Sequence, residues 1–330
     1  MIAQILLILE IIAPVFFIAS VGYLWARIGA PFDIGFVTRL AMNVAGPCLL
    51  FSTLVEVEID PRAFEALAGA SLAAYAVMGA LSLAALKAAR MNKQAYWAPV
   101  TFGNTGNLGL PIALFAFGEQ GLALALIVFA VTACLTFTVG VWMVSGKASP
   151  FDALKQPIFY GAAIGAAFAY QGWGAPEVVL AATGLMGQIT IPLMLLTLGV
   201  SVARLSFGDV GRAAAVSVAK ALIGAVAALI AIQIFALPPT AAGVLAIQCM
   251  MPVAVTSYLL SERYRTEPQA IAGLVVVSTL LALLTAPLTL AAVLPGPDGV
   301  AAIAAAPRIA PGPETWSALW GSLTAAIRSQ

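Results

Sequence analysis

The chain of 330 residues is 62% hydrophobic and 9% charged, with a mean hydropathy of +1.04, far from the composition of soluble domains. We therefore expect an integral membrane protein. Its net charge of +1 excludes the strongly basic surface that nucleic-acid binding requires.

Ten apolar segments are predicted to cross the bilayer, which takes about 20 mostly apolar residues per helix. Their apolar runs are continuous and do not alternate, so they predict helices and not a β-barrel. The chain is thus expected to be an all-α polytopic membrane protein. The predicted spans are 5–26, 36–55, 64–86, 95–117, 121–144, 158–172, 178–203, 213–236, 240–261 and 269–293.

The sixth predicted span is short and carries Gly161 and Gly165. Two glycines at this spacing let a neighbouring helix approach closely. We expect this face to serve packing within the monomer, and a seam between two protomers is the alternative.

Basic residues predict the orientation, because Lys and Arg mark the cytoplasmic loops. Both termini are expected outside the cytoplasm, in a multi-pass protein of the cell (inner or plasma) membrane. Two charged residues fall within spans: Glu10 near the outer interface, and Lys220, expected to extend toward the cytoplasm. With the N-terminus outside, eleven of the fifteen basic residues fall in inside connections: Arg27, Arg39, Lys87, Arg90, Lys93, Lys147, Lys155, Arg204, Arg212, Arg263 and Arg265.

Residues 294–330 form an extracytoplasmic tail rich in Pro, Gly and Ala. The stretch 315–328 is a candidate interfacial helix because its large apolar side chains recur at spacings of three and four. A poorly ordered tail is the alternative. The apolar residues concerned are Trp316, Leu319, Trp320 and Leu323.

Prolines recur in the two halves of the chain. Asn43 lies four residues before Pro47 in the second span, as Gln188 lies four before Pro192 in the seventh. The prolines of the fourth and ninth spans are separated by nearly the same number of residues as the prolines of the second and seventh spans. Five spans separate the copies, and an odd number of crossings inverts the second copy. The pattern predicts a 5+5 inverted repeat, with repeats 1–144 and 158–293 joined by a cytoplasmic link, 145–157.

The fourth and ninth spans are expected to be broken near the middle of the membrane. Pro111 and Pro252 interrupt helical hydrogen bonding, and Gly103, Gly106 and Gly109 let the chain leave helical geometry. Unwound backbone at that depth must face protein or a watery cavity. Two broken helices that cross there would form a polar site.

Uncharged hydrogen-bonding side chains surround the two breaks, and each half-helix that begins after a break adds a positive N-terminal end. Such a site favours an anion. The alternative is that the kinks relieve packing and the polar groups join neighbouring helices. The candidate substrate-binding residues are Asn104, Thr105, Asn107, Gln248, Thr256 and Ser257.

The sequence offers little for acid–base or metal chemistry. It contains no His, no pair of carboxylates within a span and no cofactor motif, so we expect no enzyme activity, resident cofactor or metal site. Cys48, Cys134 and Cys249 fall in apolar segments and are expected to be buried and reduced.

Around the breaks the sequence resembles the auxin efflux carrier family, which includes bacterial malonate or malate permeases and the plant auxin exporters. The similarity covers about residues 1–293 and is most specific in GNTGNLGLPIALFAFG, where Asn104 precedes Pro111 by seven residues as in the family's first crossover helix. PVAVTSYLLSERY is similar to the second crossover, with Pro252 and Tyr264 in family-like places.

The resemblance implies two subdomains in each protomer. Spans one, two, six and seven would form a scaffold and the usual dimer surface, with Asn43 and Gln188 on the scaffold side. The other spans would form a moving transport unit with both crossovers at its centre. The resemblance also implies that Asn104 contacts a substrate carboxylate.

The chain departs from family patterns in two places. Bacterial relatives often carry a further Asn after the second-crossover proline, where this chain has Thr256 and Ser257. The link from Ser145 to Gln156 is much shorter than the central loop of many plant exporters, which favours a compact bacterial-type permease.

These patterns predict a homodimeric secondary transporter that moves a small organic anion by elevator-type alternating access. A sodium- or proton-coupled symporter or antiporter of similar architecture is one alternative, although acidic ion ligands are not evident within the spans. A metabolite sensor without a transport cycle is another, and ligand binding without net flux would identify it.

Overall fold

All ten predicted spans coincide with helices in the computed structural model, which describes residues 2–57, 60–146, 156–205 and 208–293. Those residues form no β-strand; an isolated antiparallel β-bridge joins Gly103 to Val253. The candidate helix 315–328 lies outside the described residues. The helices are α1 (Ile2–Arg27), α2 (Ile34–Leu40), α3 (Gly46–Glu56), α4 (Pro61–Ala88), α5 (Lys93–Thr101), α6 (Leu110–Leu135), α7 (Val141–Ser145), α8 (Pro157–Gln171), α9 (Glu177–Gln188), α10 (Thr190–Arg204), α11 (Val210–Phe235), α12 (Pro239–Met250), α13 (Val255–Tyr264) and α14 (Pro268–Val293).

Within the described residues, five helical segments are by themselves long and apolar enough to cross a bilayer. That all ten predicted spans cross the membrane stays a prediction. The five segments are Ile34–Glu56, Arg62–Ala88, Thr105–Ser145, Glu177–Arg204 and Val210–Phe235, and shorter apolar helices are Ala13–Arg27, Pro239–Met250 and Pro268–Ala282.

The longest of these segments, Thr105–Ser145, contains an interruption at Gly118. Its φ of 66° and ψ of −158° are far from helical values, and glycine adopts them at little cost because it has no Cβ. The interruption falls between the fourth and fifth predicted spans, 95–117 and 121–144.

Turns of π-helix precede two of the prolines. Ala41–Ala45 leads into Pro47, and Thr105–Gly109 leads into Pro111. Proline lacks an N–H donor and its ring crowds the preceding turn, so a locally wider turn accommodates it. The helix therefore continues through Pro111.

The break in the fourth span lies earlier than its sequence pattern predicts. It falls at residues 102–104, between the end of α5 and the π-helical turn that begins at Thr105. Gly106, Gly109 and Pro111 lie in the continuous helix that follows, so their assignment to the break is wrong. Gly103 and Pro252 do lie in the breaks.

The helices pack as two groups. In the first group, α1 and α2 pack against α10, and α3, with the π-helical turn before it, packs against α8 and α9. A Cβ at Gly161 would lie 2.5 Å from the Pro47 carbonyl oxygen, and a Cβ at Gly165 would lie 3.2 Å from the Leu50 carbonyl oxygen. The expected role of this glycine pair in packing within the monomer is confirmed.

The second group is centred on α11, which packs against α4, α12 and α14, while α12 also packs against α6. Most of the buried apolar side chains of these helices belong to two clusters, and each includes residues of the helix breaks. Cys249 is buried here as expected. The expected burial is wrong for Cys48 and Cys134, which are partly exposed because they lie at the margins of the buried faces of α3 and α6.

Several connections predicted to share one side of the membrane are joined by hydrogen bonds. Arg204 donates to the Phe32 carbonyl over 2.9 Å. The Asn92 amide donates to the Glu267 carboxylate over 2.7 Å, and the Gln94 amide donates to the carbonyl of Val144 over 2.9 Å. These bonds join the connections in two sets, one through Arg204 and one through Asn92 and Gln94.

Candidate functional site

The two helix breaks lie side by side. Helix α5 ends at Thr101 and helical structure resumes at Thr105; α12 ends at Met250 and α13 begins at Val255. The N–H of Asn104 donates to the carbonyl of Pro252 over 2.7 Å. This bond and the bridge next to it join the breaks into one unit, which we call the paired break (residues 102–104 and 251–254).

Backbone groups freed by the paired break find partners elsewhere. The N–H of Val253 donates to the Ser278 hydroxyl over 3.1 Å, and the carbonyl of Val100 accepts a hydrogen bond from the Lys220 ammonium over 3.1 Å. Buried backbone polar groups must be paired to avoid a large desolvation cost. The surrounding helices thus stabilise unwound backbone at the centre of an apolar bundle.

A cavity lies against the paired break, with about 750 Å³ of empty space including its open mouth. Both groups of helices form its walls. None of the described residues that line it is charged. They are Thr38, Ala41, Met42, Met194 and Thr197 from the first group, and Gly103, Asn104, Thr105, Gly106, Asn107, Phe129, Thr132, Ala133, Thr136, Phe137, Ala254, Val255, Thr256 and Leu259 from the second.

The beginnings of two half-helices face this cavity. Thr105, Gly106 and Asn107 form the first turn after one break, and Val255 and Thr256 begin the helix after the other. A helix N-terminus carries free N–H groups and roughly half a positive charge. The two ends converge where no described lining side chain is charged, and the dipoles of two helix N-termini would favour an anion at such a place.

Asn104 connects the break to the cavity. Its side-chain oxygen accepts the N–H of Asn107 over 3.2 Å and so caps the half-helix. Its side-chain Nδ2 is buried and has no hydrogen-bond partner in the described part of the chain. A buried amide without a partner is costly, which makes this cavity-lining residue a candidate for ligand contact.

Four of the six candidate binding residues line the cavity together: Asn104, Thr105, Asn107 and Thr256. The other two do not. Ser257 is buried on a different face of α13, because each step along a helix turns the side chain by about 100°.

Gln248 is fully buried in the last turn of α12, where its side chain lies against Gly109 and not in the cavity. Its Oε1 and Nε2 have no hydrogen-bond partner among the described residues. Gly109 thus serves close packing against an amide side chain. Neither Gln248 nor Ser257 is placed for direct contact with a ligand.

The sequence pattern missed cavity residues that come from the second, fifth and seventh spans. Thr132 and Thr197 use their hydroxyl protons locally, donating to Val128 and Leu193 carbonyls over 2.7 Å each. Their oxygens remain as acceptors, so donors for an anion come from Asn104 and the half-helix N-termini. Isolated threonines in apolar spans carry no sequence signal for a shared site.

Lys220 is placed differently from the sequence expectation. Its side chain is 1% exposed and does not extend to the cytoplasmic surface. The break after α5 leaves the Val100 carbonyl free, and this carbonyl holds the ammonium group inside the bundle. Glu10 lies in the part of α1 whose side chains the structure does not describe.

The scaffold-side polar residues lie apart from the cavity. Asn43 and Gln188 are both exposed on the first group of helices, and neither lines the cavity. Among the described residues, no three His, Cys, Asp or Glu side chains cluster in a way that could hold a metal ion.

A family model described as "Membrane transport protein" matches residues 7–157 and 145–290, which include both breaks and the cavity. The chain is also 28% identical over 194 residues to an uncharacterized transporter of Methanocaldococcus jannaschii. That match covers 55% of this chain and 62% of the relative's length. The protein is a multi-pass membrane protein. The chain belongs to the auxin efflux carrier family of membrane transport proteins.

Proposed function

We propose that the protein carries a small organic anion with a carboxylate group across the cell membrane by alternating access. The observation that carries this proposal is the buried Nδ2 of Asn104, which has no partner in the described residues and belongs to a residue that lines the cavity with two half-helix N-termini. A carboxylate would accept from this amide and interact favourably with both helix ends. Thr105, Asn107 and Thr256 would supply further contacts.

The two groups of helices support an elevator mechanism. The paired break would hold the anion in the second group, which acts as the transport unit. Thr38, Met42, Met194 and Thr197 close the cavity from the first group, which acts as the scaffold. If the transport unit slides along this wall, the bound anion changes its exposure from one side of the membrane to the other.

Helix packing supports the 5+5 inverted repeat, with crossover helices at the fourth and ninth spans. Under that repeat α1 corresponds to α8 and α3 to α10, so the packing of α1 on α10 should recur as α8 on α3, and it does. In the same way, α4 packing on α5 recurs as α11 on α12. We propose repeats of 1–144 and 158–293.

A homodimer through the scaffold would explain two exposed amides. Asn43 and Gln188 lie within predicted spans, where an amide facing lipid has no water to bond with. A second copy of the chain placed on this face would provide partners for them.

The proposed orientation places both termini outside the cytoplasm of the cell membrane. It is supported by the eleven basic residues in the predicted inside connections and by the hydrogen bonds that join several of those connections to one another.

Counterflow in proteoliposomes tests the proposal. Proteoliposomes that contain wild-type protein and are preloaded with unlabelled malonate or malate should accumulate the labelled acid from outside. Proteoliposomes with Asn104→Ala should do so only at a higher concentration of the acid. Thr183→Ala is the control, because Thr183 is on α9 outside the cavity. Binding of either acid without exchange would indicate a sensor. Exchange that stops without sodium would indicate a sodium-coupled carrier. Absence of binding by folded protein would exclude these two acids.

A further inference from the structure

Lys220 is a fully buried basic residue in the middle of α11. Among the described residues it has the largest fully buried side chain, which is 1% exposed. Its ammonium group donates to the carbonyl of Val100 over 3.1 Å. The described residues place no carboxylate within ion-pair distance of it. Burial of an unpaired ammonium group is costly, so a compensating interaction is required.

The paired break supplies that interaction. In a continuous helix the Val100 carbonyl would accept from the N–H of Asn104, four residues on. Asn104 donates to Pro252 instead. The carbonyl end of α5 is therefore free and carries the negative end of the half-helix dipole, and Lys220 takes the place of the missing donor.

The second half-helix ends against the same face of α11. Cys249 loses its helical donor because the N–H of Val253 donates to Ser278. The Cys249 carbonyl lies against Gly224, one turn after Lys220, so closely that a Cβ there would overlap it. Met250 and Pro252 also border the small cavity next to Lys220. One face of α11 thus covers the carbonyl ends of both half-helices.

These contacts place opposite ends of the half-helices on different sides of the paired break. The positive N-terminal ends line the anion cavity, and Lys220 is absent from that lining. The negative carbonyl ends face α11. A unit charge in protein of effective dielectric about 20 changes the binding of an ion about 10 Å away by more than tenfold. At such a distance the charge of Lys220 would favour an anion in the cavity without touching it.

We propose that Lys220 is a built-in cation, a positioning residue that holds the carbonyl ends of the paired break and raises the affinity of the cavity for an anion in place of a bound metal cation. The effect on affinity rests on the proposed transport of a carboxylate. The cation site formed by the carbonyl ends does not depend on the transport of a carboxylate, so it can be tested separately.

The experiment compares Lys220→Ala and Lys220→Met with Ser217→Ala, a control one turn earlier on α11 whose hydroxyl bonds locally to Ala213. For each variant, the affinity for malonate and malate, the exchange and the thermal stability are measured in the presence of methylammonium. Tetramethylammonium, which has the same charge but no N–H donor, is the control ion. In Lys220→Ala we expect affinity to fall by about tenfold or more, and methylammonium alone to restore affinity and stability in part. Lys220→Met should not respond, because its side chain fills the space.

Two results would overturn the inference. One is a Lys220→Ala protein that gains no stability from methylammonium beyond that from tetramethylammonium. The other is wild-type affinity in both Lys220 variants. If wild-type protein binds neither acid, the proposed substrates are wrong, whereas the stability of Lys220→Ala with methylammonium still decides whether the carbonyl ends bind a cation.

Discussion

The backbone N–H of Asn104 donates to the carbonyl of Pro252 over 2.7 Å, although the two residues are nearly 150 positions apart. This bond replaces the helical bond that Asn104 would make to Val100. It frees the Asn104 side chain to cap the next half-helix while its Nδ2 remains without a partner in the described residues. Formation of the break and formation of the binding group therefore depend on the same residue.

Asn104→Ala is expected to weaken carboxylate binding by roughly tenfold to a hundredfold, because a hydrogen bond to a charged group contributes about 1.5–3 kcal/mol. The substitution also removes the cap on the Asn107 N–H, so some stability should be lost. Concentration dependence of counterflow measures the first effect, and thermal unfolding measures the second.

Asn104→Asp separates these two roles. An aspartate oxygen still caps the half-helix, but the donor is lost and a negative charge enters the cavity. We expect near wild-type stability and loss of anion binding. Retained binding in Asn104→Asp would place the ligand elsewhere in the protein.

Pro252→Ala is expected to slow transport with little effect on membrane insertion. Alanine restores an N–H donor at this position, so α12 can extend through the break by bonding to Gln248. The Pro252 carbonyl would then turn away from Asn104. Amide hydrogen exchange at residues 251–254 should become slower as helix forms, and counterflow at equal reconstitution should fall. Normal flux together with slower exchange would show that the break is not needed for transport.

The sequence was informative where a residue acts through its own backbone chemistry. Pro252 lacks a donor, and the ninth span breaks there; Asn104 was expected at the binding site and lies in the cavity lining. The break expected at Pro111 is absent because a π-helical turn accommodates this proline without interrupting the helix. Whether a proline breaks a helix or only widens one turn depends on the neighbouring helices.

Tertiary packing decided the remaining features. Gln248 has the polarity of a ligand-binding residue, but it faces Gly109. Thr38 and Thr197 reach the cavity only because the two groups of helices meet there. Lys220 is buried because a carbonyl from a residue 120 positions earlier is free to receive it. None of these contacts is visible in local periodicity.

Gly109→Ala is expected to destabilise the protein by about 1–3 kcal/mol, the usual cost of overpacking. The added Cβ would overlap the Gln248 side-chain amide. Gln248→Ala removes that group, so the double variant should be more stable than Gly109→Ala alone, with a favourable coupling energy in a double-mutant cycle. Unfolding in detergent provides all four values. Simple additivity would mean that the two side chains are not in contact.

Gly161→Ala is expected to lower the stability of the monomer by about 1–3 kcal/mol, because its Cβ would meet the Pro47 backbone at 2.5 Å. Gly184→Ala is the matched control: it is also a helical glycine, but a Cβ there has no neighbour within 4 Å. The control should be neutral or slightly stabilised, since alanine favours helix more than glycine does. Unfolding and molecular mass in detergent are measured together. Gly161→Ala should unfold more easily while its molecular mass in detergent stays unchanged. Unaltered unfolding of Gly161→Ala would contradict a close contact between this glycine and Pro47.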